Sequence, residues 1–266
     1  MTELIPMTPI HGTMKLDLAS GGEFFTDSGL PMAEYVPQDY ERSDVEYATV
    51  MWQALEGRDL NLGVINHMPC SVEGVFLAGG YVADLLFNAG LGDPNDIDIF
   101  FDGKESFEKM YAYLLSKGLK VQDPQLLKFV GEDGKLLWTK EFEGAPYITL
   151  VPPFELRHVF GGKVVQLVKI RWYESAEHVI DSFDFTVVQA AIDLHGEALV
   201  FNPMGAVDYS CRRLIQHRVE SHARVSMRLA KYESKGFHAT KAFTIPSETV
   251  VKLVESAQQK HESEYK

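Results

Sequence analysis

Residues 76–101 of this chain read FLAGGYVADLLFNAGLGDPNDIDIFF. A short apolar run over 75–78 stops at Gly79 and Gly80. Residues 81–88 carry Val82, Leu85 and Leu86 at helical spacing. Gly90, Gly92 and the pair Asp93-Pro94 end that helix and turn the chain. Asp96, Ile97, Asp98 and Ile99 then alternate acid with β-branched apolar residue, the period of a strand. Both carboxylates fall on one face and both isoleucines on the other, in the core. Two carboxylates held side by side repel each other, and they stay ionised most readily with a hard cation such as Mg²⁺ between them.

A glycine pair and helix followed by a strand with D-x-D resembles the DNA polymerase beta-like nucleotidyltransferase superfamily. The pattern is met at Gly79, Gly80, Asp96 and Asp98, with a spacer of 15 residues that includes an extra loop over 91–95. The longer form Gly-Gly-x-x-Arg-Asp-Leu-Leu of the tRNA nucleotidyltransferase branch fits residues 79–86, except that Ala83 replaces the arginine. The pattern requires a third carboxylate. Asp184, within SFDFT (182–186), takes that place after the strand-like KVVQLVKIRW (163–172) and a short acidic helix over 174–180. Its aromatic neighbours Phe183 and Phe185 point to a buried strand, whereas Asp181 reads as an exposed helix end. Asp181 and Asp193 are the competing choices. This order also resembles small viral and phage nucleotidyltransferase-like proteins.

The resemblance implies a two-Mg²⁺ site. Asp96 and Asp98 would hold the nucleotide-bound ion, and Asp98 and Asp184 the ion that activates the acceptor hydroxyl. It also implies that the backbone at Gly79 and Gly80 approaches a phosphate at a helix N-terminus. The expected reaction moves a nucleoside monophosphate from an NTP, ATP being the commonest donor, to an acceptor with release of pyrophosphate. The acceptor is a small molecule, a protein or an RNA end. Because folds of this kind can keep their shape and lose activity, the alternative is a non-catalytic nucleotide- or RNA-binding module or a phage interaction protein.

Each signal has a plainer reading. A lone D-x-D usually marks a solvated loop, and a lone Gly-Gly a turn. Their order, with a helix between, is more specific than either. Haloacid dehalogenase-type phosphatases carry D-x-D at the end of the first strand, and glycosyltransferases need a longer nucleotide-binding half before it. The Gly-Gly helix ahead of Asp96 argues against both.

The chain of 266 residues has Lys and Arg totalling 25 against 38 Asp and Glu, a net charge of −13. That balance excludes a broad electrostatic footprint on DNA or RNA. The charge is uneven: residues 212–241 hold eight Lys or Arg against two Glu, a local +6 in a remainder of −19. The basic run RVSMRLAKYESKGF (224–237) spaces Arg224, Arg228, Lys231 and Lys235 along one helix face. Lys231 and then Arg228 are the expected triphosphate contacts, with an ordinary solvated face as the plain alternative. No run approaches membrane-helix length, and the start of the chain has no basic segment followed by an apolar one. Cys70 and Cys211 form no metal motif, so reduced thiols and a cytoplasmic setting are expected. The scattered histidines, His195 and His217 among them, form no zinc pair.

The expected class is α/β (α+β): a nucleotidyltransferase-like mixed sheet with backing helices and a helical C-terminal section. Residues 1–45 read as an irregular arm, 46–203 as the catalytic domain and 204–266 as the helical section. Within these, the sequence predicts helices over 45–55, 106–117 (capped by Ser106), 207–216, 222–235 and 247–259. It predicts strands at 147–151 and 183–192, and a hairpin around Gly131-Glu132-Asp133-Gly134.

Overall fold

The computed structural model describes residues 12–17, 23–26, 64, 68–69, 71–88, 92, 94–122, 129–130, 136–138, 146–196, 198–217 and 222–240. The helices expected over 45–55 and 247–259 lie outside the described residues, as do Cys70 and the side chain of Arg224.

The decisive stretch folds as strand β3 (Val75–Ala78), helix α1 (Gly80–Asn88) and strand β4 (Asp96–Phe101). These belong to a nine-stranded sheet whose other members are β1 (Gly12–Asp17), β2 (Glu23–Thr26), β5 (Lys120–Val121), β8 (Tyr147–Val151), β9 (Val164–Val168), β10 (Ala190–Asp193) and β11 (Ala198–Phe201). The strand order is β2-β1-β11-β10-β3-β4-β9-β8-β5. Within this sheet, among the described residues, only β4 and β9 run parallel and the other pairs are antiparallel. The class is therefore a mixed sheet backed by helices, as the sequence predicts. Strands β6 (Phe129–Val130) and β7 (Leu136–Trp138) form the expected separate hairpin.

Alternation along β3 and β4 divides the core in two. Val75, Leu77, Ile97, Ile99 and Phe101 pack on one face with Val82 and Leu86 of α1 and with Met110 and Leu114 of α2 (Lys104–Ser116). Phe76, Ala78 and Phe100 face the other way, onto Ala176, Val179 and Ile180 of α3 (Ala176–Asp181) and onto Phe183. Asp96 and Asp98 share this second face. Helix α3 covers its Phe100 end, and the acidic end remains open.

The chain after β11 forms α4 (Pro203–Ser210), the short parallel pair β12 (Arg213–Leu214) and β13 (His238–Ala239), and α5 (His222–Glu233). Met204, Ala206 and Val207 enter the same core as β3 and β4. Val225 and Leu229 of α5 pack with Phe185, Val187, Leu214 and Phe237. Each such side chain stabilises by about 1.5–3 kcal/mol, enough to fix which face of α5 looks outward.

Several expectations need correction. The segment read as an irregular arm supplies two strands at one side of the sheet: β2 is the edge, and β1 pairs with β2 and with β11, the latter over Gly12↔Phe201 to Lys15↔Ala198. Its prolines and glycine pair flank these strands and do not interrupt them. Ser106 is not the N-cap of α2. It lies one turn in, where its hydroxyl donates to Asp102 Oδ1 at 2.6 Å and accepts from the Gly103 N–H at 3.3 Å. Residues 183–189 are not strand: a 3₁₀ turn at Thr186–Val188 precedes β10. Helix α4 ends at Ser210, because Arg212 takes a left-handed φ of 55° and the chain turns into β12.

Candidate active site

The antiparallel register of β3 and β4 sets Ala78 opposite Asp98. The Gly79–Gly80 turn that follows β3 therefore stands beside the two aspartates that begin β4. Gly79 has φ +88°, and a Cβ there would lie 3.5 Å from Asp98 Oδ2 and 3.8 Å from the Phe183 ring. Glycine is needed for the left-handed backbone, and a Cβ at these distances would make ordinary contact with both neighbours. The Gly79 N–H is bonded to Ala190 O at 3.0 Å. The orphan donors of the turn are accordingly those of the first turn of α1, from Gly80 onward.

An open cavity of about 1160 Å³ covers this end of the sheet, lined by Gly79, Gly80, Asp96, Asp98, Asp184, Arg228, Lys231 and Lys235 among others. All the site residues expected from the sequence thus line one cleft. Its volume exceeds a usual small-ligand pocket of about 300–1,000 Å³, so it has room for two reactants.

Gln166 of β9, in parallel register with Asp98, donates from Nε2 to Asp96 Oδ2 at 3.0 Å. Asp98 is held differently. Burial and then the neighbouring Asp96 push its carboxyl up to about 7, against the opposing pull of Lys231 and Arg228. Lys231 and Arg228 of α5 therefore both act on Asp98. Tyr232, on the same helix, approaches Gly80, with its hydroxyl 3.9 Å from where a Cβ would stand. Burial raises its phenol.

Asp184 sits in the bend after α3, and its side chain is only 4 % exposed. Its carbonyl accepts from the His217 N–H at 2.8 Å, and the Thr186 N–H donates to Ile215 O at 3.2 Å. Thr186 also donates from its hydroxyl to buried Asp208 at 2.6 Å, and Asp208 is ion-paired with Arg213 at 3.1 Å. The Asp184 carboxylate is ion-paired with Arg228, whose side chain is 44 % exposed. The competing acids lie elsewhere: Asp193 accepts from the His195 and Gly196 N–H groups in the β10–β11 turn, and Asp181 stands 3.9 Å from His217.

Asp96 and Asp98, two oxygen donors on one face of an open cleft, suit one hard divalent cation. At Asp184 a guanidinium already stands. Among the described residues no three His, Cys, Asp or Glu side chains form a metal-holding group.

Some residues of this site were given no role from the sequence, although Asp84 stands at the aspartate of the Gly-Gly-x-x-Arg-Asp-Leu-Leu pattern. Asp84, 4 % exposed, accepts from Tyr209 Oη at 3.1 Å, Asn88 Nδ2 at 2.9 Å and the Gly92 N–H at 3.0 Å. It ties α1 to α4 and to the loop before β4. A Cβ at Gly92 would fall 2.1 Å from Asp84 Oδ1, so only glycine fits. Burial and then Asp84 push the Tyr209 phenol up to about 12. Gln166 was visible only as the one polar residue in VVQLV.

Residues 56–212, more than half the chain, match the family model described as Gabija anti-defense 2 family protein. The chain belongs to the Gabija anti-defense 2 family. The matched span includes the Gly-Gly turn, the D-x-D strand and Asp184, and it stops before α5. No curated protein matches the chain in sequence. Among solved structures, it is similar to the Thermotoga maritima CCA-adding enzyme complexed with tRNA, at 16% identity over 82% of this chain and 44% of that one, with a TM-score of 0.40. A CCA-adding enzyme in complex with CTP has 16% identity over 85% and 46%, TM-score 0.40. A tRNA nucleotidyltransferase with a primer tRNA and an incoming ATP analog has 16% identity over 70% and 47%, TM-score 0.41. This member of the Gabija anti-defense 2 family spans less than half the length of those chains. No helix among the described residues is long and apolar enough to cross a membrane.

Proposed function

We propose that this protein transfers a nucleoside monophosphate, AMP in the first instance, from an NTP to an acceptor, and that it does so as a cytoplasmic anti-defense factor. The observation that supports this most is the register that brings Gly79 and Gly80 against Asp96 and Asp98 within one cleft. Mg²⁺ held by Asp96 and Asp98 would offset the charge of the triphosphate and of the departing pyrophosphate.

The remaining work falls to the chain's own groups. Gln166 fixes the Asp96 carboxylate. The first turn of α1 offers N–H donors to a phosphate oxygen. Lys231, which already acts on Asp98, offers a cation to the triphosphate. In the transfer, an acceptor oxygen bonds to the α-phosphorus and the bond to the bridging oxygen breaks. Pyrophosphate leaves with that bond's electron pair, and the acceptor proton passes to solvent.

The family's description makes a component of the Gabija defence, or a small molecule it depends on, the first acceptor to try. The acidic whole, −13, favours such an acceptor over a long nucleic acid. The second reading, a binding module that has kept the fold, draws on the ion pair that occupies Asp184.

Calorimetry of the full chain with each of the four NTPs, with Mg²⁺ and with EDTA, tests the binding half of this reading. Mg²⁺-dependent binding that is lost in Asp96→Asn and Asp98→Asn supports it. Equal affinity in Mg²⁺ and EDTA, or no binding of any NTP, contradicts it.

A further inference from the structure

We infer that Arg228 is the built-in second cation of this site, so that the cleft takes one divalent ion, at Asp96 and Asp98, and no second one at Asp184. The inference rests on the nucleotidyl-transfer reading and departs from the two-ion arrangement its fold resemblance implies.

Asp184 is a nearly fully buried carboxylate, 4 % exposed, ion-paired with the Arg228 guanidinium. Three features hold that pair in place. The backbone around Asp184 is fixed by the bonds from His217 N–H and to Ile215 O. The 3₁₀ turn that follows is fixed by Thr186 on Asp208. The helix carrying Arg228 is anchored by Val225 and Leu229 in the cluster with Phe185 and Phe237. Arg228 thus arrives on a packed helix and not on a loop. A divalent ion at Asp184 would have to expel a guanidinium that cannot be deprotonated and leave it beside another positive charge. Arginine suits this task, since its planar fork pairs with carboxylates and its charge is permanent. In this arrangement Asp184 positions Arg228 and is not a metal ligand.

The test counts ions directly. Mn²⁺ bound to the full chain is measured by electron paramagnetic resonance, without nucleotide and with an ATP analogue whose α–β bridge is a methylene group. Wild type is expected to bind one Mn²⁺ in both conditions. Arg228→Met, which keeps the apolar stem, is expected to bind two, and Arg228→Met with Asp184→Asn to return to one. Circular dichroism of each variant checks folding, and the wild-type count stands without any variant. A second Mn²⁺ in wild type overturns the inference and leaves nucleotide binding intact. So does a single Mn²⁺ in folded Arg228→Met. If the analogue does not bind, the nucleotidyl-transfer reading fails, and the nucleotide-free counts alone decide the role of Arg228.

Discussion

Asp98 faces Ala78 directly across the β3–β4 ladder, which leaves the left-handed Gly79 as the next residue beside its carboxylate. The backbone of the turn and the acid of the strand are thereby set by one register. A one-residue slip would turn Asp96 and Asp98 into the core and Ile97 and Ile99 into the cleft, so the hydrophobic pattern that folds the sheet also fixes the site.

Gly79→Ala should reduce both stability and nucleotide binding. A φ of +88° costs a residue with Cβ about 1–2 kcal/mol, and the methyl would stand against Asp98. Urea denaturation should show a midpoint loss of that size at unchanged slope. An unaltered midpoint would mean that the turn relaxes freely.

The contribution of Asp98 to the stability of the ligand-free protein should be lost as pH rises from about 4 to 7. Asp98 has its folded pKa raised from 3.8 to about 7, so the fold binds this proton more tightly than the unfolded chain does. That contribution is full below the unfolded pKa and is lost as pH climbs through the folded one. Thermal melts in EDTA from pH 4 to 8 should show Asp98→Asn gaining on wild type, by ~3 °C or more at the upper end. Parallel curves would show that Asp98 ionises normally.

The D-x-D strand, the glycine turn, the β6–β7 hairpin and strand β9 were all legible, because each signal is local: a period, a turn residue, an apolar run. Asp184 was singled out for a reason that did not hold. The alternation Phe183-Asp184-Phe185 imitates a strand, yet the Ser182 hydroxyl donates to Val179 O at 2.6 Å and keeps this segment as the bend after α3. The partners that matter most were not legible. Asp84 meets Tyr209 from 125 residues away, and Arg228 meets Asp184 across 44. No spacing rule links such residues; only the assembled sheet and the packing of α5 bring them together.

Asp84→Ala should destabilise by about 2–4 kcal/mol. Three donors, the Tyr209 hydroxyl, the Asn88 amide and the Gly92 N–H, lose their common acceptor in a buried place, and an unsatisfied buried group costs about 1–3 kcal/mol. Chemical denaturation measures this. A loss under ~0.5 kcal/mol would indicate that water replaces the carboxylate.

Lys231→Ala should weaken NTP binding about tenfold, equivalent to roughly 1.4 kcal/mol, with little change in stability. The residue is exposed and lines the cleft. Calorimetry separates the two effects. Unchanged affinity would place the triphosphate away from α5.

The cleft is expected to transfer nucleotide and not merely to bind it. Incubating the full chain with each α-³²P-labelled NTP, Mg²⁺ and an extract of cells carrying the Gabija defence tests it most directly. Label is expected to pass from one NTP to a discrete acceptor with equimolar pyrophosphate, and Asp96→Asn and Asp98→Asn are expected to abolish both. Saturable NTP binding with no pyrophosphate and no labelled product would contradict it.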